Sequence, residues 1–117
     1  MTIIYGQRGQ PAATILDDGL FAADGTQIGF VDDGLIYSMI NGEYTGSYSS
    51  GVVFNAFGEA QGFSADCKPA LPLMQPRLSM PPPRLSAVGE DIRGMPNRTP
   101  PDFLRVAFAK ARNEWFK

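Results

Sequence analysis

The side chains of this chain that could do chemistry are few and mostly acidic. Asp17-Asp18 and Asp32-Asp33 are adjacent carboxylate pairs, and Asp24, Glu43 and Glu59 are spaced between them. Carboxylate oxygens are the ligands Ca²⁺ takes, and two carboxylates facing one sugar ring are what glycoside hydrolysis needs. Neither chemistry is selected here. The alternating Asp-x-Asp-x-Asp-Gly of a calcium loop is absent, and Ser49-Ser50 and Ala65-Asp66 stand where further acidic pairs would be. No spacing picks two carboxylates out of Asp24, Asp32, Glu43 and Glu59. The chain has no histidine, the commonest general base and metal ligand. Its one cysteine, Cys67, therefore has neither a histidine to activate it nor a second cysteine to pair with. There is no P-loop, no dinucleotide fingerprint and no Ser-x-x-Lys pair. The expectation is a protein without catalytic residues, cofactor or metal. An acidic-residue hydrolase is the weakest of three function classes.

The basic residues suggest a different chemistry. Residues 1–66 carry one basic side chain, Arg8, against eight acidic ones, a net of −7. Residues 67–117 carry nine basic against four acidic, a net of +5. Arg77, Arg84, Arg93, Arg98, Arg105, Lys110, Arg112 and Lys117 lie in that second half. Such an arm can neutralise phosphates, so nucleic-acid binding is a competing function class. The arm is also attached to an acidic module that repels phosphates, and its residues are spread out. The simpler expectation is an arm folded back onto its own module or onto a neighbouring copy.

The elements that carry these residues repeat. Four aligned copies of one unit fill the first half: IIYGQRGQPAATILDDG from Ile3, LFAADGTQIGFVDDG from Leu20, LIYSMINGEYTGSYSSG from Leu35 and VVFNAFGEAQGFSAD from Val52. A repeat this short is a copied hairpin. Each copy reads as apolar strand, glycine turn (Gly9, Gly25, Gly42, Gly58) and second strand. Asp24-Gly25 and Asn41-Gly42 predict tight type I′ turns. Asp18-Gly19, Asp33-Gly34 and Ser50-Gly51 predict the returns between copies. A small residue follows each inner turn glycine by four positions: Ala13, Gly29, Gly46 and Gly62. Glycine inside a strand weakens it, so its recurrence predicts close approach near a common axis, or a bend.

This pattern resembles the bacterial four-fold beta flower family, whose repeat runs aromatic-x-x-x-Asn/Asp-Gly-x-x-Ile-Gly-x-Val-x-Asp-Gly. Phe21 to Gly34 matches it almost throughout. The third copy has one extra residue before Asn41, the fourth has Phe57 in place of Asn or Asp, and the first has Arg8 there and no strand glycine. The resemblance is drawn over residues 3–66 and implies four hairpins around a pseudo-four-fold axis. It implies no activity.

Beyond the repeats the composition changes. Residues 67–98 hold seven prolines and a small repeat, Gln75-Pro76-Arg77-Leu78-Ser79 followed by Pro82-Pro83-Arg84-Leu85-Ser86. Proline-rich chain favours extended conformation, and Leu73, Met74, Leu78, Met80 and Leu85 give it something to bury. An apolar strap is expected rather than a solvated linker. Residues 99–117 read as an amphipathic helix. Thr99 is the predicted N-cap, Pro100 and Pro101 suit the first turn, and Asp102 favours the positive helix end. Leu104, Phe108, Ala111 and Trp115 share its apolar side, with Arg105 and Arg112 opposite.

The sequence therefore predicts a mainly β fold in three parts. Residues 1–66 form a four-hairpin module, 67–98 a Pro-rich strap and 99–117 a C-terminal helix. The expected function is non-enzymatic interaction or assembly, as a homo-oligomer or with another protein. Leu104, Phe108, Trp115, Phe116, Arg77, Arg84, Arg105 and Arg112 form the candidate surface. The N-terminus lacks the basic and long apolar stretches of a signal peptide, and no run approaches the ~20 apolar residues of a membrane span. With one cysteine, a cytoplasmic protein is expected.

Overall fold

The structure, a computed structural model, describes residues 1–73 and 88–116. The Pro-Arg-Leu-Ser repeat, with Arg77 and Arg84, lies outside the described residues.

Each repeat is a hairpin. The strands are β1 (Thr2–Gly6), β2 (Pro11–Leu16), β3 (Gly19–Ala22), β4 (Gln27–Asp32), β5 (Leu35–Ser38), β6 (Tyr44–Ser49), β7 (Val52–Asn55) and β8 (Ala60–Phe63). Each pairs antiparallel with its sequence neighbours, and β8 returns to β1 through Tyr5↔Phe63 and Gly6↔Gly62. The sheet is thus a closed eight-stranded barrel. The register slips at one equivalent place in every repeat: Ile4/Tyr5, Leu20/Phe21, Ile36/Tyr37 and Val53/Phe54. A bulge bends its strand and sharpens the twist. Four copies of it curve the meander into a ring.

The turns exchange the roles expected of them. The two-residue turns with both φ angles positive are the returns: Asp17-Asp18 (50° and 64°), Asp33-Gly34 (52° and 77°) and Ser50-Gly51 (49° and 83°). At the inner turns only the glycine is left-handed, and Asp24 and Asn41 are not. The Gly25 N–H donates to the Ala22 carbonyl at 3.0 Å, and the Ala22 N–H to the Thr26 carbonyl at 2.7 Å. The first and fourth repeats do the same through Gly9–Gly6 and Gly58–Asn55. The extra residue in the third repeat lengthens that bond by one position, to Gly42–Ser38. Asp24 and Asn41 act instead through their side chains, accepting the N–H groups of Thr26 and Glu43.

Because the sheet closes, one face of every strand points to a shared centre. Ile4, Ala13, Leu20, Val31, Ile36 and Val53 meet there, with Ile15 and Tyr48 against them. An eight-stranded barrel is just wide enough for side chains to fill. The recurrent small residues face this interior, as expected. A Cβ on Gly29 would stand 2.7 Å from the Tyr37 carbonyl oxygen, and one on Gly62 the same distance from that of Tyr5.

The outer face carries a belt of aromatics that the rest of the chain covers. Phe30, Leu35 and Tyr37 pack with Tyr44 and Leu73. Gly89 lies directly over the ring of Phe21, and Ile92, fully buried, donates its N–H to Ala23. Arg98 donates its N–H to Gly9. The described ends of the strap therefore lie on their own barrel.

The helix α1 (Asp102–Lys110) is shorter at both ends than the expected 99–117. Pro101, not Thr99, occupies the N-cap position, without a side-chain cap. At the other end Ala111 turns extended (φ −67°, ψ 136°), so Arg112, Trp115 and Phe116 lie beyond the helix. Beyond Lys110 the tail's backbone N–H groups turn to barrel side chains instead of helical carbonyls, Arg112 to Glu59 and Trp115 to Gln61.

Candidate functional site

The tail, residues 111–116, closes the inner-turn mouth of the barrel. The repeat builds this mouth: the β1–β2 turn contributes Gln7 and Gln10, and β7, its turn and β8 contribute Asn55, Glu59 and Gln61. Gln7 Nε2 donates to the Asn113 carbonyl at 3.2 Å, and Gln10 Nε2 to that of Phe116 at 2.9 Å. The Trp115 N–H donates to Gln61 Oε1 at 3.0 Å, and the Arg112 N–H to Glu59 Oε2 at 3.1 Å. Asn55 Nδ2 reaches Asn113 Oδ1 at 3.3 Å.

Inside the mouth, Phe116 is buried with the barrel's central side chains, and Trp115 packs against them. The missing side chains of Gly46 and Gly62 make the room. A Cβ at Gly46 would stand 2.7 Å from the indole of Trp115, and one at Gly62 3.2 Å from the Phe116 ring. At the rim, Arg112 pairs with Glu59 at 3.2 Å and lies 4.4 Å above the Phe57 ring. Arg8 pairs with Glu114 at 3.4 Å.

The electrostatics keep the mouth's carboxylate ionised. The hydrogen bond from Asn55 lowers the Glu59 pKa below its ordinary 4.5, and the Arg112 N–H and guanidinium add to this. Asp24 is lowered chiefly by the Thr26 N–H. Carboxylates held this way are poor proton donors near neutral pH, which suits neither for the acid of a glycosidase pair. Burial raises the Cys67 thiol, so it is a weak nucleophile. Among the described residues no three of His, Cys, Asp and Glu come together as a metal cluster would. No helix among them is long and apolar enough to cross a membrane.

Four hairpins, one closed ring and a plugged mouth define the architecture. A family model described as "4-fold beta flower protein" matches residues 2–115. The chain belongs to the four-fold beta flower family. The match runs past the hairpins at 3–66, where the resemblance was drawn, and takes in nearly the whole tail. No curated protein and no solved structure matches the chain.

This flower spends much of the predicted surface on itself. Leu104 is buried against Phe54, Ala60 and Phe63, and Phe108 lies 6.2 Å from the Phe63 ring. Trp115 and Phe116 enter the mouth. Arg105 pairs with Asp102 at 3.4 Å on the helix surface, and Arg112 caps the rim. The structure brings Arg112, Trp115 and Phe116 together and leaves Arg105 apart. The sequence reading missed the amides that bind the tail, Gln7, Gln10, Asn55 and Gln61. Two of them carried a signal, because Asn55 and Gln61 are polar residues inside strands that are otherwise apolar.

Two clefts lie elsewhere. One of about 440 Å³ runs between α1 and the β7–β8 turn, lined by Phe54, Ala60, Phe103, Leu104 and Ala107 among others. A second, of about 390 Å³, lies at the return-turn end, where only Asp66 of its lining residues carries a carboxylate.

Proposed function

We propose that this flower is a non-enzymatic interaction or assembly protein, with the barrel as a rigid scaffold. The observation that carries the reading is an apolar cleft beside α1, with exposed aromatic and aliphatic side chains on the helix and turn that bound it. Phe103 (39% exposed) lines this cleft, and Phe57 (66%) and Val106 (61%) stand on the turn and the helix that form its walls. The interior is packed with side chains, so binding capacity belongs to the barrel's mouths and outer face. Aromatic and arginine side chains are the usual anchors of protein interfaces, and Arg112 over Phe57, on that turn, supplies both. A second copy of the chain is the simplest partner. A reducing, cytoplasmic setting fits the single half-buried Cys67.

The nucleic-acid reading draws less support. The described arginines of the arm are engaged within the chain: Arg93 with Asp91, Arg98 over Tyr5, Arg105 with Asp102 and Arg112 with Glu59. Heparin retention that falls steeply with salt would reverse this ranking.

Light scattering of the full chain over a concentration range, at low and moderate salt, tests the proposal. A salt-stable dimer or larger species is expected, reverting to monomer on Phe57→Ser with Val106→Glu. A wild-type monomer throughout would remove self-assembly from the reading.

A further inference from the structure

The tail is held as a bound peptide is held. Four barrel side chains bind its main chain: Glu59 and Gln61 accept the Arg112 and Trp115 N–H groups, while Gln7 and Gln10 donate to the Asn113 and Phe116 carbonyls. Contacts of this kind hold a main chain whatever its sequence, and side-chain pockets then add selectivity. Here Trp115 and Phe116 fill the space over Gly46 and Gly62, and Arg112 meets Glu59 and Phe57.

We propose that the inner-turn mouth of the barrel is a peptide-binding site for a non-helical segment with two consecutive aromatic residues preceded by a cation, and that residues 112–116 occupy it as an internal ligand. This rests on the interaction reading and deepens it by naming the partner's chemistry.

Two observations distinguish a ligand site from a permanent seal. Among the described residues, Nε2 of the fully buried Gln61 finds no hydrogen-bond partner. Burying an unsatisfied amide is costly, a cost that a seal made only for stability would avoid with an apolar residue. A peptide that places an acceptor there binds better than the resident tail. The tail is also open on its outer side: Arg112 and Asn113 are exposed, and one extended residue, Ala111, joins it to the helix. It can leave while α1 stays docked. Attachment gives the tail a high effective concentration, so an outside peptide competes only by better contacts or after the tail is displaced.

Trp115 is the chain's single tryptophan, which makes the test direct. The full-length chain with Trp115→Gly and Phe116→Gly has no indole of its own. It is titrated with a synthetic peptide of residues 111–116, with peptide indole emission as the readout. Saturable binding with a blue shift is expected, weakened at least tenfold by adding Gln61→Ala to the protein and abolished by alanine at both aromatics of the peptide. A folded host that shows no saturable shift at millimolar peptide overturns the proposal. Should the host not fold, the wild-type chain decides by amide hydrogen exchange. The Trp115 amide is expected to exchange at least a hundredfold faster than those of Ile4 and Val53. Equal protection would make the tail a fixed seal. Neither result depends on the wild-type solution mass, so this proposal and the interaction reading fail separately.

Discussion

At the scale of single residues, the repeated glycines and the mouth's carboxylate carry the sharpest expectations. A methyl on Gly46 would collide with the Phe54 carbonyl oxygen and press on Trp115, whereas one on Gly94 meets nothing within 4 Å. Gly46→Ala is expected to cost roughly 1–3 kcal/mol, as overpacking does, and Gly94→Ala less than about 0.5 kcal/mol. Urea unfolding midpoints of the two variants check this. Glu59 has its folded pKa below the ordinary 4.5, so its contribution is fully present above that value. It is lost as pH falls through the lower, folded pKa. Acid titration of Trp115 fluorescence should therefore show a loosening of the tail below about pH 4.5, shifted or absent in Glu59→Gln. The glycine spacing made the need for close approach legible. The assignment of turn types was not, because Asp-Gly suits both a type I′ pair and a turn with one left-handed residue. Strand register, which local residue types do not reveal, decides between them.

At the scale of elements, the helix was visible and its end was not. Leu104 and Phe108 sit on the docked side of α1, as their spacing predicted. Trp115 continues the same rhythm eleven residues from Leu104, but the helix stops at Lys110. Nine residues are too few for propensity alone to hold a helix in water, so tertiary contacts set its length. Gln7 and Gln10 lie 106 residues from their partners in the tail, and no local pattern announces them. Leu104→Ala should cost about 2–5 kcal/mol, the range for a buried leucine. Val106→Ala, on the exposed side, should stay within about 0.5 kcal/mol. Thermal and urea unfolding of the pair measure how firmly the helix is docked.

At the scale of the whole molecule, the described part of the basic arm lies on its own acidic module. The pairs Arg112–Glu59 and Arg8–Glu114 join the two halves, but the arginines are more than 60% exposed. Exposed pairs contribute about 0–1 kcal/mol and are screened by salt. The arm is therefore held chiefly by Ile92, Leu104, Phe108 and Phe116. Raising salt from low to about 1 M should leave the arm docked and lower Tm by only a few degrees, which differential scanning calorimetry would show. The closed ring has a last consequence. A sheet that meets itself leaves no free edge, so none of its eight strands is a template for the stacking that leads to fibrils. The seam between β1 and β8 is its shortest junction, two residue pairs against three or four elsewhere. Heat or strain that parts the ring parts it there. The two edges so released, β1 and β8, come from copies of one repeat, so a second opened ring fits between them. Misassembly of this protein would then take the form of rings opened at one seam and joined end to end into chains.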